Sequence, residues 1–186
     1  SARVMTQVAD AVIAELHEAG LHGLSVPRIA QRAGVHTASI YRRWPSTAEL
    51  IAFATTRLTD DVMPSDDTGT LEGDLRAMLH HVRDFLDSPN GSLLASIAFA
   101  AGSSPEIEVI TSTHWHQRVQ SRQAMFSRAV ARGELQSDVD AEELIERMIG
   151  PLYVRRFISR RPASDAFLER LLASAMAETS VTPHKS

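Results

Sequence analysis

The chain has 186 residues, 44% hydrophobic and 23% charged, a balance that excludes a disordered polymer. It holds no cysteine, which excludes disulfides, thiolate metal sites and cysteine nucleophiles. The formal net charge of −4 argues against bulk coating of nucleic acid but leaves room for a locally basic surface. No apolar run approaches the roughly 20 residues of a membrane span, so no membrane partner is expected. The chain opens on Ser1-Ala2-Arg3, without methionine or a signal-peptide core, and we expect a trimmed start.

Alternating strand patterns are absent and helical periodicity recurs, so the chain reads as all-α with about nine helices. Val4, Val8, Val12 and Leu16 form the stripe of a first helix that Gly20 and Gly23 end. Ser25 caps a short second helix over 26–33, with Pro27 tolerated in its first turn and Gly34 as its stop. A third runs from Thr37 to Trp44 and stops at Pro45, and a fourth starts at Ser46 or Thr47 and carries the stripe to Val62. The polar stretch 64–70 reads as a loop and domain boundary. Helices are then predicted over 71–86 and 92–101, with one long segment over 105–132 that Gly133 stops. Asp140 caps a helix reaching Phe157, with Gly150-Pro151 inside it as a kink, and a last helix holds Phe167 to Met176 before a polar tail. This divides the chain into a reading domain at 1–46, a connecting helix at 47–63 and a helical body at 64–186.

Two short helices joined by Gly34-Val35-His36 make the helix-turn-helix pattern, which lays its second helix in a DNA major groove. The residues of that second helix suit the task. Thr37 and Ser39 offer small hydroxyls, Ala38 permits close approach, and Tyr41, Arg42 and Arg43 reach outward. Ile40 and Trp44 are expected to face inward onto Ile29, Ala30 and Val35. Charge agrees: residues 19–48 contain Arg28, Arg32, Arg42 and Arg43 and no acid, a local patch of the kind phosphate contacts need.

The stretch Ile40-Tyr41-Arg42-Arg43-Trp44-Pro45-Ser46, followed by Glu49-Leu50, resembles the DNA-binding domain of TetR-family transcriptional regulators. The resemblance is strong over residues 3–55. It continues in Ala129-Val-Ala-Arg-Gly-Glu-Leu135, Asp138-Val-Asp140 and Gly150-Pro-Leu-Tyr153, which resemble the C-terminal domain of one large branch. It implies a bacterial, cytoplasmic regulator, on the nucleoid when bound, that binds double-stranded operator DNA as a homodimer and responds to an unknown small-molecule effector. By matched position, Ser25 and Tyr41 would contact phosphate, Thr37, Ser39 and Arg42 base edges, and His36 and Arg43 the backbone or groove edge. Many relatives carry Lys where this chain has Thr47. The hydroxyl can still reach phosphate, but one ionic contact is lost, which implies a salt slope shallower by roughly 0.9. The last two helices would pair with a partner's as a four-helix bundle, for which Met148, Leu152, Leu168, Leu171, Leu172 and Ala175 supply apolar stripes.

Other apolar residues of the body, Met78, Phe85, Leu94, Ile97, Phe99, Trp115, Val119, Phe126 and Val130, would line an effector cavity or simply fill the core. Arg122 on the same stripe would meet an anionic effector or snorkel to solvent. His80 and His81 would point about 100° apart on a helix and His114 and His116 about 200° apart, so neither pair chelates a metal alone, although His80 and Asp84 share a face; no metal is expected, and the histidines read as partly exposed or hydrogen-bonded. No cofactor motif occurs. The rivals are a ligand-independent DNA-binding dimer and an all-helical enzyme. The latter lacks any Gly-x-Ser-x-Gly elbow, phosphate loop or His-Glu-x-x-His pair.

Overall fold

The structure, a computed structural model, describes residues 2–60, 67–100 and 105–179. Helices and no strand occur among the described residues: α1 (Ala2–Ala19), α2 (Val26–Ala33), α3 (Thr37–Arg43), α4 (Thr47–Asp60), α5 (Leu71–Asp87), α6 (Pro89–Ala100), α7 (Pro105–Gln120), α8 (Gln123–Ala131), α9 (Ala141–Tyr153), a π-helical turn (Val154–Ser159) and α10 (Asp165–Thr179). The expected extension of α4 to Val62, the start of the polar loop at 64–66, the helix end at Ala101 and the tail beyond Thr179 lie outside the described residues.

The boundaries follow local chemistry. Thr70 caps α5 by accepting a hydrogen bond from Gly73 N, and Asp140 caps α9 by accepting from Glu142 N and Glu143 N at 2.9 and 3.1 Å. Pro89 opens α6, where its missing N–H costs nothing, so the helix starts three residues before the predicted Ser92. The predicted long helix over 105–132 is two helices. Arg122 adopts φ −99 and ψ −4, its N–H turns back to Val119 O at 3.0 Å, and its own carbonyl starts α8 by accepting from Met125 N. Around Gly150-Pro151 the helix continues through Tyr153 and only then widens into the π turn, which Arg160 ends at φ +55.

The described residues fall into two compact units. The first takes Ser1–Asp61 together with Asn90–Trp115, and its core runs from Val8, Val12 and Leu16 of α1 through Ile29, Ile40 and Trp44 to Leu50, Ile51 and Ala54 of α4. Leu93 and Ile97 of α6 and Ile107 and Ile110 of α7 belong to that same core. His17 also meets Asn90 Oδ1 at 3.0 Å. The reading helices are therefore completed by two later helices. Ile97, 1% exposed, contributes burial worth about 1.5–3 kcal/mol to this joint core.

The second unit takes Val62–Pro89 and His116–Ser186. In it α5 packs against α8, α9 and α10, burying Leu75, Met78, Leu79 and Phe85. Ion pairs fasten the outside: Arg76 to Glu169 at 2.8 Å, Arg83 to Asp165 at 2.5 Å and Arg147 to Glu178 at 2.7 Å. Met148, Leu152, Leu168, Leu172 and Ala175 are buried within this unit, and Leu171 is half-buried. The apolar stripes expected at a dimer surface thus face inward, because α5 takes up the side of α9 and α10 that carries them. The large apolar side chains left outside on the same segment are Val154 and Ile158, 52% and 68% exposed.

Candidate nucleic-acid interface

The turn between α2 and α3 is fixed by backbone hydrogen bonds. Gly34 takes φ +65 and ψ 34, a left-handed conformation that glycine adopts without Cβ strain, and its N–H reaches Ala30 O and Gln31 O. Val35 N then donates to Ala30 O at 3.0 Å, which closes the end of α2 and aims the chain into α3. Ile40 and Trp44 anchor the other side. Ile40 is 1% exposed, and the Trp44 ring stacks at a tilt on Phe53 with centroids 4.8 Å apart. Both lie in one cluster with Ile29 and Ala30, and Val35 packs against it, as their spacing predicts.

With that face buried, the opposite face of α3 is exposed. Tyr41 is half exposed, and His36, Ala38, Arg42, Arg43 and Thr47 are exposed, with Thr37, Ser39 and Ser25 half-buried. Ser25 makes no side-chain cap hydrogen bond, so its hydroxyl is not tied to α2. Ser46 caps α4 by accepting from Glu49 N at 3.2 Å. A groove of about 570 Å³ runs between the start of α1 and α3. Val4, Val8, Val35 and Trp44 form an apolar floor, and His36, Arg42 and Arg43 are the ionisable side chains that line it.

The arginine patch divides in two. Arg28 Nε donates to Glu15 Oε1 at 2.7 Å and its Nη2 to Gly23 O, while Arg32 Nη2 donates to Glu18 Oε2 at 2.6 Å. Glu15 is 1% exposed and also accepts from Ser25 N. The Arg28 hydrogen bond outweighs burial and holds the Glu15 carboxyl below the usual carboxylate range; the same pairing pushes Arg28 up. Arg28, expected at the DNA surface, is therefore committed to bracing α2 on α1. No carboxylate pairs with Arg42 or Arg43 among the described residues. Glu15 is the residue that sequence reasoning missed. Its signal was a lone carboxylate between Val12 and Leu16 on the buried stripe of α1.

The residues expected around an effector are split between the units. Leu94 and Ile97 are buried in the first, where Trp115 is half-buried. Met78, Phe85 and Phe126 are buried in the second, with Val119 half-buried. Arg122 does not snorkel: it is 6% exposed, and its Nη1 donates to Arg118 O at 3.1 Å. Phe99 and Val130 are 62% and 37% exposed and line no interior.

Comparison with known proteins agrees with this geometry. Residues 9–53 match the family described as bacterial regulatory proteins, tetR family, and residues 65–175 the tetracyclin repressor-like C-terminal domain. The chain is 30% identical over 153 residues to the HTH-type transcriptional regulator AqdR of Rhodococcus erythropolis, covering 82% of this chain and 74% of that protein. It is 30% identical over 158 residues to the DNA-binding transcriptional repressor TetR of Mycobacteroides abscessus, covering 82% and 81%. The crystal structure of the TetR family transcription regulator SCO0332 superposes with a TM-score of 0.80 at 26% identity, covering 97% of this chain and 99% of that one. Among the described residues no helix is long and apolar enough to cross a membrane.

Proposed function

The chain belongs to the TetR family of DNA-binding transcriptional regulators, and on that premise we propose that it is a dimeric repressor which a small-molecule effector releases from a double-stranded operator. The observation that carries this reading is the outward face of α3. Tyr41, Arg42 and Arg43 are exposed there, and the two arginines pair with no carboxylate among the described residues. In our assignment α3 enters the major groove. Arg42, Thr37 and Ser39 read base edges, with Ala38 allowing close approach, while Tyr41, Arg43, His36, Ser25 and Thr47 meet the sugar-phosphate backbone. The dimer face is assigned to the outer side of the α9–π–α10 segment, at Val154, Ile158 and Leu171, because the inner stripe is already buried.

The joint core of the first unit supports a reading of effector release. Leu94 and Ile97 sit on α6, and Ile97 shares its core with α1 and the reading helices. A ligand that displaces α6 therefore acts directly on the reading head, and in a dimer it alters the spacing of two heads that must fit successive major grooves. Leu94, Ile97 and Trp115 of the first unit are our candidates for its apolar contacts. The site of action is the cytoplasm, on the nucleoid when bound.

Selection of bound duplexes from a random pool tests the reading. The expected product is a pseudo-palindromic operator that the wild type prefers at physiological salt and that Arg42→Ala binds about 1–3 kcal/mol more weakly while the dimer survives. Equal binding of selected and random duplex would overturn it.

A further inference from the structure

From α9 into the π turn the chain is one helical rod, Ala141–Ser159. Leu144, Met148 and Leu152 mark its buried side, and Glu143, Arg147, Gly150, Val154 and Ile158 run along the other at helical spacing. Charge divides along this rod. Residues 138–146 hold five carboxylates and no base, and residues 155–161 hold four arginines and no acid. Asp138 and Glu146 are exposed and have no ion-pair partner among the described residues; Arg147, beside them, is taken by Glu178 at 2.7 Å. At the other end Arg156 meets Asp87 at 3.1 Å, but Arg155, Arg160 and Arg161 pair with no carboxylate among the described residues. The acids of α10 near its start are engaged already, Asp165 by Arg83 and Glu169 by Arg76. Arg155 is held by Pro162 O at 2.6 Å and lies 3.6 Å from the centroid of the Phe167 ring. Partial loss of water, and then Arg161 and Arg170, push its guanidinium below the ordinary arginine value, as expected of a crowd of like charges.

The helix macrodipole favours acids in the first turn of α9, but its effect fades within that turn. It does not account for Glu146, a turn further on, nor for Gly150. Glycine is disfavoured in a helix interior relative to alanine, and is kept where backbone must lie close to something else. Gly150 has no positive φ, and a Cβ placed on it meets nothing within 4 Å. Nothing inside the protomer calls for a glycine there, whereas a second helix arriving from outside would. Glu146 and Arg155 stand nine residues apart, about 14 Å at the helical rise, beyond the roughly 8 Å over which salt screens exposed charges. The two ends therefore do not neutralise each other within one protomer. A second copy laid antiparallel brings each arginine end onto a carboxylate end, while a parallel copy sets arginine on arginine. We propose that two copies of this chain pack their α9–π rods antiparallel and cross at Gly150, so that Arg155, Arg160 and Arg161 of each meet the carboxylates at 138–146 of the other, beside the exposed Val154 and Ile158. This rests on the dimer reading and adds to it a direction, a register and a charge code for self-recognition.

The test is a charge exchange followed by sedimentation equilibrium of the full chain. Arg160→Glu/Arg161→Glu and Asp138→Arg/Glu146→Arg change exposed side chains only. Each double variant alone should dimerise at least about tenfold more weakly than wild type, because like charges then face each other at both ends. An equimolar mixture of the two should recover a dimer near wild-type strength, since every end regains an opposite charge. Gly150→Ala should leave the helical circular dichroism unchanged and weaken the dimer about tenfold by overfilling the crossing. Should a charge variant lose its helical signal, wild type alone decides: its dimer dissociation constant should rise about fivefold or more between roughly 50 and 500 mM NaCl. Double variants that dimerise like wild type, a mixture no tighter than its components, an unweakened Gly150→Ala dimer or a dissociation constant indifferent to salt would overturn the proposal and leave the dimer reading standing. A wild type that stays monomeric at every concentration would overturn both.

Discussion

Glu15 decides how much of the arginine charge in the reading head is left for DNA. Counting charges along the sequence correctly finds four arginines and no acid over residues 19–48, yet two of the four are neutralised by acids just outside that window. The partner of Arg28 lies thirteen residues upstream across a turn, a pairing that helical spacing does not reveal. Arg42, Tyr41, Thr37 and Ser39 were legible because glycine punctuation and the inward Ile40–Trp44 pair fix which face of α3 is left outside. The brace has a measurable worth. Glu15→Ala strands the Ser25 N–H and the Arg28 guanidinium, and urea unfolding should show a loss of about 2 kcal/mol, as for other hydrogen bonds to charged groups. Because the carboxyl is held below its usual range, its stabilisation is present above about pH 4.3 and fades as pH falls through the lower folded value. The gap between wild type and Glu15→Gln should therefore narrow on acidification. A gap that widened would mean that Arg28 is not the governing partner.

At the scale of the element, what the sequence made legible is what backbone chemistry punctuates. Gly34 and Gly133 hold positive φ, Pro45 follows the end of α3, and Asp140 caps α9. The break between α7 and α8 was not legible, because Ser121 and Arg122 carry no turn signal and both flanking stripes continue the helical period. The π turn after Tyr153 was hidden for a similar reason: local pattern does not distinguish wider bonding from an ordinary last turn. Periodicity also identified the apolar stripes of α9 and α10 without saying whether they face a partner or the protomer. A Cβ added at Gly34 meets nothing within 4 Å, so its conformation alone sets the cost of substitution. Gly34→Ala should lower stability by about 1 kcal/mol, and Gly34→Asn by less, in urea denaturation. A larger cost for Asn than for Ala would show that side-chain crowding, not the left-handed backbone, governs the turn.

At the scale of the molecule, the assembly prediction separates an outer face from an inner one. Ile158 is 68% exposed, so Ile158→Glu should leave the far-ultraviolet circular dichroism of the protomer unchanged while sedimentation equilibrium shifts toward monomer. Operator affinity should fall at least tenfold with the loss of simultaneous half-site contact. A dimer undisturbed by the charge would move the interface elsewhere. The fold class was legible from composition and period together. The membership of the first unit was not, since the apolar faces of α6 and α7 look alike whether they cover an effector or a reading head. That membership changes how the protein can be recombined. A chimera built by joining residues 1–60 to a foreign sensor would cut through the core to which Leu93, Ile97, Ile107 and Ile110 belong together with α1, α2, α3 and α4. A working transplant has to carry residues 90–115 along with the reading helices. The unit that holds the reading helices is thus discontinuous in sequence, and a substitution in one of its two pieces is felt in a core that the other piece shares.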